Sequence, residues 1–148
     1  MKAIMMKKIL AVIGILVLAA GGFVAFKMFQ PLPDDLDLAT TRATDAGHYM
    51  VTVSPEDAAY QRNTLHSWIV EITTPEGTPV EGAEIFIDGG MPQHGHGLPT
   101  SPQMTEALGD GRYKIEGVRF NMSGWWEFKL AITADGVSDN ITFNLVMN

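Results

Sequence analysis

Apolar and polar residues alternate along most of the chain after residue 48, and this alternation constrains the fold more than any other feature. In the clearest run, Trp68, Val70 and Ile72 share one face with His66. Residues two apart point to the same side of a β-strand, so a period of two indicates half-buried strands. Similar runs occupy residues 49–53, 83–88, 104–108, 112–120, 125–133 and 141–147. About seven short strands separated by Gly, Pro and Asp turns predict an all-β fold, an immunoglobulin-like antiparallel β-sandwich over residues 46–148.

The N-terminal segment has a different pattern. Lys2, Lys7 and Lys8 precede an uncharged apolar run, Ile9–Phe26, which Lys27 closes. As a helix this run would measure about 27 Å, just enough for the hydrocarbon core of a bilayer. We therefore predict one transmembrane helix, a membrane anchor over residues 1–29. A cleaved signal peptide is the alternative, with a weak cleavage sequence at residues 18–20.

Both interpretations of the N-terminal segment give the same topology. The lysines stay in the cytoplasm and residues 31–148 cross to the other side. We expect a single-pass protein of the inner (cytoplasmic) membrane whose domain faces the periplasm or the cell exterior. Residues 30–45, which contain Pro31 and Pro33 among acidic residues, are predicted to form an extended linker.

Charge and cysteine content exclude several functions. The chain has a formal net charge of −7, and all 17 acidic residues follow residue 33. Such an acidic surface repels phosphate backbones, so we expect no nucleic-acid partner. The absence of cysteine excludes disulfides, thiolate metal sites and thiol nucleophiles. No catalytic acid–base pair or nucleophile motif stands out, and we predict that the protein is not an enzyme.

Residues 89–104 form a long, uncharged segment rich in Gly, Pro, His and Met, which we predict to be a loop. His94 and His96 lie two residues apart within it, and Met91 and Met104 bracket it. Imidazole suits copper, zinc and nickel, and the soft thioether sulfur selects Cu(I). The segment is therefore a candidate copper site. The competing interpretation is a surface loop with two exposed histidines and no ligand.

Two further side chains are candidate ligands. Met122 lies in a turn between two predicted strands, and His66 begins the second long strand. Each of these residues can also be explained by an ordinary structural role. Methionine commonly fills gaps in a core, and a histidine before an aromatic strand is commonly held by hydrogen bonds.

Several motifs resemble the YtkA-like and FixH-like extracytoplasmic domains. They are Gly-x-Pro-Val-x-Gly-Ala at residues 77–83, Met-Pro-x-His-Gly-His-Gly at 91–97, Gly-x-Gly-x-Tyr at 109–113 and Gly-x-Trp at 124–126. The resemblance covers roughly residues 47–146. It implies a small single-pass or secreted sandwich domain associated with copper handling or respiratory oxidase assembly. It also implies metal binding at Met91, His94 and His96.

Together these features predict a membrane-anchored extracytoplasmic copper chaperone or store. His94 and His96 would supply nitrogen, and Met91, Met104 or Met122 would supply sulfur. Its partner would be a copper-requiring or respiratory membrane complex. The alternative is a metal-free interaction module that assists assembly of such a complex, with the loop as its docking surface.

Overall fold

The computed structural model describes residues 2–28, 31–57 and 61–148, which form two compact units, residues 1–32 and 33–148. The first unit contains a helix, α1 (Lys2–Met28), at the position that the sequence predicts. Within the described part of the chain, no helix reaches the length and hydropathy of a membrane-crossing segment.

The second unit consists of two antiparallel sheets, which confirms the predicted β-sandwich. The first sheet has the order β1-β2-β3-β7-β6, and the second has the order β5-β4-β8-β9. The strands are β1 (Thr41–Ala43), β2 (Met50–Pro55), β3 (Leu65–Thr73), β4 (Glu84–Met91), β5 (His96–Gly97), β6 (Gln103–Gly109), β7 (Arg112–Arg119), β8 (Gly124–Ala134) and β9 (Val137–Met147).

The core lies between the two sheets and follows the alternation in the sequence. In β3, Trp68, Val70 and Ile72 are buried together with His66, as the pattern predicts. The ring of Trp68 packs against that of Phe128 from the second sheet, with centroids 5.6 Å apart. Burying a large apolar side chain contributes about 1.5–3 kcal/mol, so these contacts hold the two sheets together.

The sandwich begins earlier than the predicted boundary at residue 46. Strand β1 lies inside the predicted linker and pairs with β2, with Arg42 opposite Val51. The Arg42 guanidinium also donates a hydrogen bond to the Thr142 carbonyl (2.7 Å) and pairs with Asp37 (3.1 Å). These contacts join residues 37–43 to β9. Three residues are too few to show a period, so the sequence did not reveal this strand.

A buried carboxylate fixes the connection between β1 and β2. Asp139 is only 5% exposed and accepts hydrogen bonds from the backbone N–H groups of Ala46 (3.1 Å) and His48 (3.2 Å). The His48 ring nitrogen Nδ1 lies 3.2 Å from the same carboxylate. Burial alone would raise the pKa of Asp139, but hydrogen bonds from Thr44, Ala46, Asn140 and His48 outweigh it and hold the pKa well below 3.8.

We predict that Asp139→Asn destabilises residues 33–148 by about 1–3 kcal/mol at pH 7, because buried donors lose a charged acceptor. The folded state lowers the pKa of Asp139, so the carboxylate stabilises the fold at pH values above the ordinary carboxyl range. This contribution is lost as the pH falls below about 4. Urea denaturation of the parent and the variant between pH 3 and 7 measures the difference in their free energies of unfolding. Asp135→Asn, in an exposed turn, is the matched control, and an equal effect of both variants would contradict the prediction.

Candidate functional site

The segment predicted as a loop is a short hairpin. Strand β4 continues through Gly89 and Gly90 to Met91, which pairs with His96 of β5. The prediction that the loop begins at Gly89 is therefore wrong. A Cβ at Gly89 would lie 2.3 Å from the Glu127 carbonyl oxygen, and one at Gly90 would lie 2.3 Å from that of His96. Glycine is needed at both positions because the neighbouring backbones approach closely on either side.

The turn of this hairpin holds the two histidines close together. The Met91 carbonyl accepts hydrogen bonds from the N–H groups of His94 (3.1 Å) and Gly95 (2.9 Å). Gly95 has φ +67°, a left-handed conformation that glycine adopts without strain. His94 therefore lies within the short turn, and His96 directly follows it.

The two imidazole rings stack. Their centroids are 5.9 Å apart and their planes differ by 24°. His94 is half-buried, and its Nδ1 atom is buried with no hydrogen-bond partner among the described residues. His96 is exposed, and its ring makes a T-shaped contact with that of Trp126, with centroids 6.0 Å apart.

This spacing can be compared with that of two imidazoles bound to one metal ion. A metal–nitrogen bond of about 2.0–2.1 Å keeps the centroids of two ligating rings within about 6 Å of each other. The observed 5.9 Å lies at the upper end of that range. An imidazole binds a metal ion in its own ring plane, so two nearly parallel stacked rings do not point their nitrogens at one ion as they stand. Rotation of the exposed His96 side chain would be needed to direct its nitrogen to an ion bound by His94.

Met91 lies on the inner side of the hairpin. Directly opposite residues of an antiparallel pair point to the same face of the sheet, so Met91 and His96 share the face that Trp126 also occupies. Met91 is fully buried, and its methyl group would lie 3.1 Å from a Cβ at Gly124. The strand register therefore places Met91 opposite His96, with its buried side chain beside Gly124.

Met122 lies in the connection between β7 and β8 and packs against the core. Its carbonyl accepts a hydrogen bond from the Trp126 indole N–H (3.1 Å). Since Trp126 also meets His96, this indole links the Met122 connection to the hairpin.

The remaining two candidates lie in the other sheet. Met104 is in β6, opposite Ile115 of β7, and packs against the core. His66 is 8% exposed, and its Nε2 lies 3.1 Å from the backbone nitrogen and 2.7 Å from the carbonyl oxygen of Gln61. His66 is thus held by contacts with the backbone of Gln61, whereas Met91, His94 and His96 lie together in the hairpin.

Two residues at this position were not predicted as part of the site. Trp126 lies in the predicted alternating run at residues 125–133; it is buried, and its ring also contacts that of His96. Met147 is buried and pairs with Gly124, the glycine beside the Met91 methyl group. The alternation in residues 141–147 predicts that Met147 is buried, but only the strand register places it near Met91.

Carboxylates do not complete a conventional metal site here. Within the described ranges, no three His, Cys, Asp or Glu side chains come together in a way that could hold a metal ion. A cleft of about 280 Å³ runs beside the hairpin, lined by Met91, His96 and Glu127 among others. Glu127 pairs with Lys129 at 2.7 Å. Any metal site at the hairpin would therefore depend on imidazole and thioether ligands.

The sequence profile of the YtkA-like domain matches residues 39–131. The chain belongs to the YtkA-like family. The match confirms the resemblance to YtkA-like domains. It begins just before β1, in agreement with a sandwich that starts before residue 46. No curated protein and no solved structure matches the chain. In this YtkA-like domain, the matched residues include the whole hairpin and Trp126.

The close approach of the backbones at Gly90 can be tested by mutation, with the nearby Gly97 as the control. We predict that Gly90→Ala destabilises the domain by about 1–3 kcal/mol, because its Cβ would overlap backbone atoms of β5. At Gly97 a Cβ would meet only the Gly89 carbonyl oxygen at 3.5 Å, an ordinary contact, so Gly97→Ala should change stability by less than about 0.5 kcal/mol. Urea denaturation of both variants is the measurement, and equal stabilities would show that β5 does not pair as described.

Proposed function

We propose that this protein is a membrane-anchored extracytoplasmic copper chaperone or store that binds copper at the β4–β5 hairpin. The observation that carries the proposal is the buried Nδ1 of His94, which has no hydrogen-bond partner among the described residues. An unsatisfied buried polar atom costs about 1–3 kcal/mol. A metal ion at this nitrogen would remove that cost.

The ligand types favour copper. His94 and His96 supply neutral imidazole nitrogen, and Met91 supplies a soft thioether that favours Cu(I). Metal ligation requires deprotonated imidazole, so protons compete with copper at these two residues. Since His96 is exposed and Met91 is buried, copper would be held from the inner side and remain open to an incoming ligand. Transfer would then occur by ligand exchange, without catalytic turnover.

The membrane anchor is supported by the N-terminal sequence. The uncharged run Ile9–Phe26 follows three lysines, the arrangement that leaves the N-terminus in the cytoplasm. The apolar side chains described in α1 are exposed, Leu18 to 77%. A helix with apolar side chains on its surface is suited to an apolar surrounding.

The location gives the first test of the proposed function. We predict that a reporter enzyme fused after Asn148 is active only if it functions outside the cytoplasm. After cell fractionation, the fusion should remain with the membrane. A soluble mature protein that starts near residue 20 would contradict the anchor and leave the export intact.

Copper binding gives the second test. We predict that residues 33–148 bind about one copper ion per chain, and that replacing His94 and His96 together by Ala abolishes binding without unfolding the domain. Titration with Cu(I) and Cu(II), with circular dichroism as the check on folding, measures both effects. His48→Ala is the matched control, because His48 lies at the other end of the sandwich beside Asp139.

If the variant that lacks both His94 and His96 binds copper with the parent's affinity, any copper site lies elsewhere. If the parent binds no copper, the metal-free assembly module becomes the better hypothesis.

The sulfur ligand can be tested separately. We predict that Met91→Leu, which conserves side-chain volume, weakens Cu(I) binding by about tenfold or more, equivalent to about 1.4 kcal/mol. Cu(II) binding should change less because thioether is a soft ligand. Met104→Leu, in the other sheet, should leave both affinities unchanged. Equal losses for the two oxidation states would contradict sulfur ligation by Met91.

A further inference from the structure

One edge of the second sheet is only partly covered. Strand β5 pairs with β4 at Gly90 and Met91 and then ends. The chain leaves this line at Leu98, whose side chain packs against the core. The residues that follow, 99–102, include two prolines, which cannot donate backbone hydrogen bonds. Among the described residues, none pairs with β4 on this side along residues 84–88. We call this stretch of β4 the open edge.

The backbone groups at the open edge are free to bind another strand. The Gly89 carbonyl accepts a hydrogen bond from the Leu98 N–H (3.1 Å), and the Gly89 N–H donates to the Asp88 side chain (2.8 Å). The backbone groups of Gly89 therefore point away from β8. Those of Ile85 and Ile87 do the same, because alternate residues of a strand direct these groups to the same side. On this side neither isoleucine has a backbone partner within the described part of the chain.

A cleft of about 430 Å³ lies along the open edge. Its lining includes Phe86 and Ile87 of β4 together with Leu98, Thr100 and Gln103. The volume is within the range of about 300–1,000 Å³ that is usual for ligand sites. The Thr100 hydroxyl is buried and has no hydrogen-bond partner in the described ranges. The wall of the cleft therefore retains an unsatisfied polar group.

The outer face of β4 beside the cleft combines one aromatic ring with two carboxylates. Glu84, Phe86 and Asp88 alternate along the strand and are exposed, Phe86 to 69%. Lys129 lies opposite Asp88 on β8, but its ammonium group pairs with Glu127 (2.7 Å). Neither carboxylate beside Phe86 forms an ion pair with a described residue.

We propose that the open edge binds an extended peptide segment, which adds a strand to the second sheet in line with β5. The segment carries an apolar residue opposite Phe86 and a basic residue two positions to either side. Its backbone pairs with the N–H and C=O groups of Ile85 and Ile87, as in other cases of strand addition. The proposal goes beyond the proposed copper function and does not depend on it.

The strand geometry specifies the side chains of this segment. Ile85 and Ile87 form the hydrogen-bonded pairs, so the residue opposite Phe86 is in a non-hydrogen-bonded pair, where opposite side chains lie closest. Directly opposite residues share one face of the sheet. An apolar residue at that position covers the exposed ring, and its basic neighbours on the same face meet Glu84 and Asp88.

A second copy of this chain fits the open edge less well. If two such edges paired with Phe86 opposite its own copy, Glu84 of each chain would lie opposite Asp88 of the other. Like charges directly opposite each other are destabilising. A partner segment with basic residues at these positions replaces the repulsion by attraction.

The test uses the full-length, isotopically labelled protein in micelles of an uncharged detergent. The probe is an acetylated and amidated peptide with the central sequence Lys-Thr-Phe-Thr-Lys, and NMR titration of the protein's amide resonances gives its affinity and position. One control peptide has Glu in place of both Lys. A second control keeps the Lys residues and is N-methylated at both Thr, which removes the N–H groups that pair with Ile85 and Ile87.

We expect the Lys peptide to shift the amide resonances of Ile85 and Ile87 and to bind about tenfold more tightly than either control peptide. Phe86→Ala should weaken binding about tenfold because a ring contact is lost. Glu76→Lys, in an exposed turn before β4, should leave the affinity unchanged. Replacing His94 and His96 by Ala should also leave it unchanged, which separates this site from the copper site.

Reversal of one charge tests the direction of the added strand. Glu84→Lys should weaken binding of the Lys peptide about fivefold. In an antiparallel arrangement the last residue of the central sequence lies opposite position 84. Lys-Thr-Phe-Thr-Glu should therefore restore the affinity for this variant, and Glu-Thr-Phe-Thr-Lys should not.

Four results would overturn the proposal. Failure of the Lys peptide to bind would exclude the site, and equal binding of the N-methylated peptide would exclude strand addition. Equal affinities of the two mixed peptides for the Glu84→Lys protein would exclude the antiparallel register. A dimer in sedimentation experiments that dissociates on Phe86→Ala would show that a second copy occupies the open edge.

Discussion

A continuous contact of aromatic rings across the two sheets supports the end of the sandwich that carries the β4–β5 hairpin. Trp68 of β3 meets Phe120 (6.4 Å between centroids), and Phe120 meets Trp126 of β8 (5.3 Å). Trp126 in turn meets His96 (6.0 Å). Aromatic pairs contribute about 0.5–1.5 kcal/mol each beyond the area they bury. The rings that join the sheets therefore also support the exposed histidine, so the packing of the core fixes the base of the hairpin.

This arrangement divides the candidate site into a fixed part and an accessible part. Met91 is held in the core beside Gly124, and its carbonyl fixes the turn through the N–H groups of His94 and Gly95. The His96 side chain is exposed and lies at the edge of the sheet. A buried base with an exposed outer ligand suits transfer better than permanent storage, because an acceptor can displace the outer ligand first. Within the proposed copper function, chaperone therefore fits better than store.

The sequence predicted the sandwich because period-two alternation is a direct consequence of half-buried strands, and β3 follows it fully. Strands β1 and β5 have three and two residues, too few for any period. Gly89 and Gly90 were misinterpreted because glycine ends some strands and permits close approach in others, and only the position of Glu127 and His96 decides between these roles. The grouping of the hairpin with Trp126 and Met147 depends on register, which sequence alone does not specify.

Different residues hold the connections at the two ends of the sandwich, and among the described residues the His96 ring has only a local polar contact, with its Nδ1 3.3 Å from the Gly97 carbonyl oxygen. At the end opposite the β4–β5 hairpin, polar groups hold the connections: Asp139 binds residues 46–48, and the Tyr49 hydroxyl donates to the Ala134 and Val137 carbonyls. At the end that carries the β4–β5 hairpin, hydrogen bonds to the Met91 and Met122 carbonyls perform that task together with apolar packing and close glycine contacts. Neither set of interactions needs the side chain of His94 or His96 for hydrogen bonding within the core. Stability therefore places little constraint on the side chains of these two residues, as the proposed copper site requires.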